Sequence, residues 1–191
     1  MTDADRKKSG IHPEMLVGAS AVVIGVCALA VSLYETSLMR EEQRAAVMPI
    51  LELSRSYNLQ TSEESGPTRL WLQAQNVGIG PARVEEFRVT VDGAPQLTWD
   101  AAFRELIGHD APISYGQSTI NGRTIPADRL VTMMKLNDGE LAARLLSEFD
   151  RLDFEACFCS IFEECWVTSY SSFGAATPVE SCQRSASSFT E

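Results

Sequence analysis

Four cysteines near the end of the chain are the residues whose type and spacing offer the most chemistry. Cys157 and Cys159 lie two residues apart, Cys165 follows six residues later, and Cys182 lies in a serine-rich stretch. Because side chains alternate between the two faces of a β-strand, Cys157 and Cys159 are predicted to point the same way. Cys165 is predicted to return on the adjacent strand, which would bring three thiols together.

Two disulfides are expected if these cysteines face an oxidising compartment. A bond between Cys157 and Cys159 is disfavoured, because same-face neighbours in a strand lie about 6.6 Å apart with parallel Cβ vectors. Two pairings remain open. One joins Cys159 to Cys165 and Cys157 to Cys182, and the other joins Cys157 to Cys165 and Cys159 to Cys182. In both, one bond closes a hairpin and the other holds the end of the chain.

In a reducing compartment the same cysteines would be thiols, and a soft-metal site becomes the alternative. Its ligands would be Cys157, Cys159 and Cys165, with Cys182 as a fourth candidate. The C-x-C-x5-C spacing lacks the C-x2-C pair of common zinc sites, so no metal or other cofactor is predicted. Cys27 lies in an apolar run and is interpreted as a small apolar residue.

Enzymatic chemistry has little support in the sequence. The two histidines are His12 and His109, and no G-x-S-x-G elbow accompanies the His109-Asp110 pair. The chain has no phosphate loop, dinucleotide fingerprint or metalloprotease helix motif. Its net charge of -10 disfavours nucleic acid and anionic lipid head groups as partners. We therefore predict a protein that is not an enzyme and does not bind nucleic acid. The sequence does not determine whether a small-molecule ligand binds.

An uncharged apolar run over residues 15–34 predicts where the protein resides. About 20 helical residues cover the ~30 Å hydrocarbon core of a bilayer. A polar segment, residues 1–14, precedes the run, and helix-forming residues 35–48 extend it as a stalk up to Pro49. A cleaved signal peptide is the alternative, since Ala28-Leu29-Ala30 fits a cleavage pattern. The length of the run and the helical continuation favour an uncleaved transmembrane helix.

Basic residues on either side of the apolar run predict its orientation. Arg6, Lys7 and Lys8 precede the run, whereas Arg40 and Arg44 follow it. The positive-inside rule therefore favours a cytoplasmic N-terminus by three to two. We expect a single-pass membrane protein whose domain lies outside the cytoplasm.

Small residues recur along the apolar run with the 3-4 spacing of a heptad seam. Such a face lets two helices approach closely in lipid, where packing drives association. The sequence therefore predicts a partner helix, from another protein or from a second copy of the chain. The seam consists of Gly18, Ala21, Gly25, Ala28 and Ser32.

After the stalk the apolar pattern changes from helical spacing to alternation, which predicts a mainly β domain over residues 49–170. Strands are predicted over residues 50–57, 68–76, 82–91, 128–136, 151–161 and 165–170. Asp92-Gly93 is a hairpin signal, and Asn121-Gly122 predicts a hairpin between residues 113–120 and 123–125.

Two short helices interrupt the predicted strands. Thr98 can cap the first, over residues 98–108, and Asp138 can cap the second, over residues 138–149. Residues 171–191 are rich in serine and poor in apolar side chains, which predicts a flexible tail.

The segment Asn76-Val-Gly-Ile-Gly-Pro-Ala-Arg-Val84, followed by a strand and Val91-Asp92-Gly93, resembles the N-x-G…A…V…D-G signature of bacterial immunoglobulin-like domains. Over residues 15–93, and again at 157–166, the chain is similar to small single-pass bacterial membrane proteins with a helical stalk. The resemblance implies an anchored immunoglobulin-like β-sandwich, here with two helical insertions. It implies no activity.

Two hypotheses of function follow. The first is a membrane-anchored domain that is not an enzyme and serves in protein–protein interaction or as an accessory subunit of a membrane complex. The second is a thiol protein that binds a metal or exchanges disulfides through Cys157, Cys159 and Cys165.

Overall fold

The computed structural model describes residues 13–59, 68–108, 113–185 and 188–190. The chain divides into two compact units that meet in sequence at Ala45 and Ala46. The first unit is a long helix, α1 (Pro13–Ala45), and the second is a mixed domain of antiparallel strands and short helices. His109-Asp110 and residues 1–12 of the predicted N-terminal polar segment lie outside the described residues.

Helix α1 is continuous through the predicted span and most of the predicted stalk. Its 33 residues correspond to about 50 Å of helix, and it ends at Ala45, three residues before the predicted end at Met48. Its apolar side chains are exposed, for example Val17 at 69% and Leu29 at 62%. By length and composition α1 is able to cross a membrane.

In the part of the chain that the structure describes, the second unit has ten strands and two α-helices, besides a short 3-10 helix at Phe149–Arg151. In chain order they are β1 (Leu51–Asn58), β2 (Arg69–Asn76), β3 (Ala82–Val91), β4 (Ala94–Gln96), α2 (Trp99–Ile107), β5 (Tyr115–Gln117), β6 (Thr124–Ile125), β7 (Arg129–Leu136), α3 (Gly139–Ser147), β8 (Leu152–Cys159), β9 (Cys165–Ser169) and β10 (Thr177–Val179). Both predicted helices are present, and their predicted caps are made by Thr98 and Asp138.

The strands form two antiparallel sheets. The first sheet has the order β1-β2-β7-β5, and the second has the order β10-β9-β8-β3-β4, with β6 also paired to β3. The predicted Asp92-Gly93 hairpin is confirmed, because these two residues join β3 to β4 with positive φ angles of 49° and 80°.

Apolar side chains from both sheets and both helices form a single core. Leu53 and Leu72 enter it from the first sheet, Phe87 and Phe154 from the second, and Trp99 from α2. A register shift between Val84 and Glu86 is a β-bulge, and it keeps both Val84 and Phe87 buried despite their odd spacing.

Asn76 and the glycines after it fix the first residues of the domain. The buried Asn76 amide donates to the carbonyl oxygens of Gly80 and Ile125, at 2.8 and 3.0 Å, and its Oδ1 accepts from the backbone N–H groups of Gly78 and Ile50. A Cβ on Gly80 would lie 1.7 Å from the carbonyl oxygen of Val47. The N-x-G-x-G-P turn is therefore the place where the chain entering from α1 packs against the domain.

The predicted Asn121-Gly122 hairpin is wrong. A turn is present there, with Gly122 at φ 72°, but the segments on either side of it pair elsewhere. β5 pairs with β7 in the first sheet, and β6 pairs with β3 in the second. The dipeptide determines the local turn, whereas the two sheets determine which strands pair.

The predicted flexible tail is also not what the structure has. Residues after Ser171 include β10, which pairs with β9, and Cys182, which is bonded to Cys157. Phe189 is only 1% exposed and packs edge-on against Phe87 and Trp99, with ring centroids 5.5 and 4.9 Å apart. The end of the chain thus packs into the core, and the prediction of a flexible tail is wrong for these residues.

Candidate functional site

The four cysteines of the domain lie together on the second sheet. Strand β8 places Cys157 and Cys159 on the face that carries Asp153 and Glu155, away from the core. Cys165 opens β9 and lies directly opposite Cys159 in the antiparallel pair. The end of the chain then crosses the same face of the sheet, which brings Cys182 to Cys157.

The cysteines are joined as Cys157–Cys182 and Cys159–Cys165, the first of the two pairings that the sequence left open. Their Cα atoms are 5.7 and 4.0 Å apart, respectively. The second bond closes the β8–β9 hairpin, and the first holds the end of the chain on the sheet. A disulfide that closes such a loop typically stabilises a small domain by about 2–4 kcal/mol.

The two disulfides touch each other. The Cys159 Sγ atom lies 3.7 Å from the Cys182 Sγ atom, although these two sulfurs belong to different bonds. The sulfurs of Cys159, Cys165 and Cys182 all lie within 4.8 Å of one another. The site is therefore one sulfur cluster and not two separate crosslinks.

A surface depression of about 380 Å³ opens onto this cluster. Besides the three cysteines that face it, its lining includes Arg83, Glu85, Glu163 and Glu180. Arg83 donates to Glu85 at 2.5 Å and to both carboxylate oxygens of Glu163 at 2.7 and 3.0 Å. The hydrogen bonding from Arg83 to Glu163 holds the pKa of Glu163 below its ordinary value. With one arginine and three glutamates, the lining carries a formal charge of -2.

As disulfides, the sulfurs are not thiolates and cannot serve as strong metal ligands. The soft-metal alternative therefore requires both bonds to be reduced first. Its donor set in this geometry would be Cys159, Cys165 and Cys182, in place of the predicted Cys157, Cys159 and Cys165.

The residues predicted to form a helix–helix interface all lie on α1, where their surfaces are exposed. Apart from the adjacent residues and the helix's own backbone, a Cβ added at Gly18 or at Gly25 would meet no described atom within 4 Å. The seam is therefore exposed along the described part of α1.

Sequence reasoning missed the contacts that hold the end of the chain. The buried Glu86 carboxylate accepts from the backbone N–H and the hydroxyl of Ser185, at 3.0 and 2.6 Å. Asn121 donates to the Ser188 hydroxyl and to the Phe189 carbonyl oxygen, both at 2.8 Å. The signal that could have found them was Phe189 itself, the one large apolar residue near the end of a serine-rich segment.

Compared with known protein families and with curated proteins, the chain matches none of them.

Proposed function

We propose that the protein is a single-pass, membrane-anchored domain that is not an enzyme and that serves in protein–protein interaction or as an accessory subunit of a membrane complex. The observation that carries this proposal is the exposed apolar surface of α1, a helix long enough to span a bilayer, joined to a separately compact domain. Exposing that apolar surface to water would be unfavourable, whereas the lipid of a bilayer would cover it.

We place the domain outside the cytoplasm of a bacterial cell, anchored in the inner membrane with a cytoplasmic N-terminus. The three-to-two count of basic residues supports this orientation. The two disulfides support it independently, because such bonds persist in the periplasm and are rare in the cytosol.

The strand order supports an immunoglobulin-like sandwich. Immunoglobulin domains have strands A, B, E and D in one sheet and C, F and G in the other, with C′ beside C in the variable type. If β1, β2, β3, β4, β5, β7, β8 and β9 are lettered A, B, C, C′, D, E, F and G, both sheet orders match. The crosslinks differ, because antibody domains join strands B and F, whereas here the bonds join F to G and F to the end of the chain.

The seam of small residues on α1 is the surface that we assign to a partner helix in the membrane. Gly25→Leu should weaken an oligomer or complex detected by crosslinking in native membranes, because it separates the two backbones. Ala30→Leu adds bulk away from the seam and serves as the matched control. An unchanged crosslinking pattern in Gly25→Leu would rule out this interface.

A second candidate function is thiol–disulfide chemistry or soft-metal binding at the sulfur cluster. It is favoured by the 3.7 Å contact between the two disulfides and by the depression that Cys159, Cys165 and Cys182 line. Disulfides with a purely structural role require neither contact between the two bonds nor a depression beside them.

Thiol labelling of the native protein tests the second candidate. In a Cys27→Ser background, purely structural disulfides predict that all four remaining cysteines resist alkylation until a strong reductant is added, and that a chelator has no effect. Protection that a chelator abolishes would favour metal binding. Opening by mild thiols at neutral pH would favour disulfide exchange.

A further inference from the structure

The contact between the two disulfides would place a nucleophile beside an electrophile. If the Cys159–Cys165 bond were opened at Cys165, the Cys159 sulfur would be released as a thiolate. That thiolate would lie 3.7 Å from the Cys182 sulfur, which is still bonded to Cys157. Thiolates exchange by attacking a disulfide sulfur, so the next step has its reactants already in contact.

We propose that the depression is a thiol–disulfide exchange site for cationic thiols, and that an exchange started at Cys165 passes through Cys159 to the Cys157–Cys182 bond. The inference deepens the second candidate function and rests on it. It is independent of whether the domain also binds a protein partner.

Each step conserves atoms and electrons. The incoming thiol loses its proton, and its sulfur bonds to Cys165 as the Cys159–Cys165 bond breaks. The Cys159 thiolate then bonds to Cys182 as the Cys157–Cys182 bond breaks, and the released Cys157 thiolate takes up a proton. One thiol enters and one thiol is left, so no oxidant or reductant beyond the incoming thiol is needed.

The charge of the lining indicates which thiols the site accepts. Glu85, Glu163 and Glu180 outnumber Arg83 around the sulfurs, and the whole chain is acidic. This field attracts a cation and repels an anion, and it weakens as salt screens it. A thiol that carries an ammonium group should therefore react faster than one that carries a carboxylate.

The experiment uses the full Cys27→Ser chain in neutral detergent and two probes of similar size, cysteamine and 3-mercaptopropionate, at matched thiolate concentration. Acid stops the reaction, free thiols are alkylated in denaturant, and mass spectrometry locates each modification. We expect the probe on Cys165, a new Cys159–Cys182 bond and an alkylated Cys157. Cysteamine should react roughly threefold faster or more at low salt, by the Coulomb attraction of a net charge of about -2, and the ratio should fall at high salt.

Products other than these would contradict the proposed relay or the exchange itself. If neither thiol opens either bond, the exchange form of the second candidate function fails, and this inference fails with it. If the probe is on Cys165 while Cys159 is alkylated and Cys157–Cys182 is intact, exchange occurs but the relay is overturned. A probe on Cys182 with Cys159–Cys165 intact also overturns the relay.

Two surface variants test the charge argument without touching a sulfur. Glu180→Lys should remove the preference for cysteamine, because it brings the formal charge of the lining from -2 to zero. Glu105→Lys makes the same change on α2, away from the depression, and should leave the preference unchanged. Equal rates for the two probes in the parent chain would overturn the assignment to cationic thiols.

Discussion

At the scale of single residues, Asn76 is the side chain on which the entry to the domain depends. It makes four hydrogen bonds, all to backbone groups, in a fully buried position. An amide has two donors and can accept twice, so Asn76 uses its full capacity. No aliphatic residue and no aspartate could make the same set of bonds.

Asn76→Ala should lower the free energy of unfolding by about 3 kcal/mol or more, because several buried backbone groups lose their partner at about 1–3 kcal/mol each. Asn58→Ala is the control, since the buried Oδ1 of Asn58 has no hydrogen-bond partner among the described residues. Urea denaturation of the full chain in detergent measures both. A loss for Asn76→Ala no larger than for Asn58→Ala would contradict the role given to Asn76.

A second residue-scale prediction concerns pH and the Asp92–Arg151 pair. The hydrogen bond from Arg151, 2.6 Å at its shortest, lowers the pKa of Asp92 below its ordinary value of 3.8. A lowered folded-state pKa means that the pair stabilises the fold above that ordinary value. The contribution is lost as the pH falls through the folded-state pKa.

Asp92→Asn keeps a residue that tolerates the positive φ of 49° but removes the charge. Its stability deficit relative to the parent should be constant from neutral pH to about pH 5 and should shrink at lower pH. Asp128→Asn is the matched control, because Asp128 is exposed with a similar φ of 55°. A deficit that persists unchanged down to about pH 2 would show that the ion pair is not its cause.

At the scale of elements, the turn between β2 and β3 joins the domain to the segment that follows α1. The Ile79 N–H donates to the Met48 carbonyl oxygen at 3.1 Å, and the Val77 N–H donates to the Ile50 carbonyl oxygen at 2.8 Å. This backbone contact is close enough to exclude any side chain at Gly80.

Gly80→Ala should cost about 2 kcal/mol or more, since the new methyl group would overlap the backbone of Val47. Gly116→Ala adds the same methyl group to a strand with nothing nearer than 4.0 Å, so its effect should stay within about 0.5 kcal/mol. Similar thermal midpoints for the two variants would mean that the turn and the entering segment are not packed as described.

The end of the chain acts as a strap across the second sheet. It is held by the Cys157–Cys182 bond, by Ser185 on Glu86 and by Phe189 in the core. Two phenylalanines of the serine-rich segment provide a matched pair, because Phe189 is 1% exposed and Phe173 is 95% exposed.

Phe189→Ala should cost about 3–5 kcal/mol, the usual range for a buried phenylalanine, whereas Phe173→Ala should change stability by less than about 0.5 kcal/mol. Limited proteolysis should release the end of the chain more readily in the first variant. Equal stability of the two variants would indicate that residues 171–191 form the flexible tail that composition predicts, and that Phe189 does not belong to the core.

Local sequence patterns predicted most of the helices and strands. They did not predict strand or cysteine pairing that depends on residues distant in the sequence. Alternating Leu70, Leu72 and Ala74 were enough to predict β2, and Thr98 marked the start of α2. The partners of β5 and β6 depend on sheets assembled from distant segments, so Asn121-Gly122 could not predict them. The cysteine pairing stayed open because it depends on which residue of β8 faces Cys165 and on a tail that composition describes as loose.

At the scale of the whole molecule, α1 and the disulfide-linked domain suit two different environments. We infer that lipid covers the exposed apolar surface of α1 and that the two disulfides persist in an oxidising aqueous compartment. Both requirements are met if α1 is an uncleaved anchor and the domain lies on the periplasmic side. This topology also gives the sulfur cluster access to the thiols that we propose it exchanges with.

The topology is tested most directly by fusing the C-terminus, through a flexible linker, to an enzyme that is active only outside the cytoplasm. A parallel fusion carries a fluorescent protein that matures only inside the cytoplasm, and a chain without residues 1–45 is the cytoplasmic control. We predict an active enzyme, a dark fluorescent fusion and a full-length product that stays in the membrane fraction. A fluorescent fusion with an inactive enzyme, or a shortened product released from the membrane, would contradict this topology.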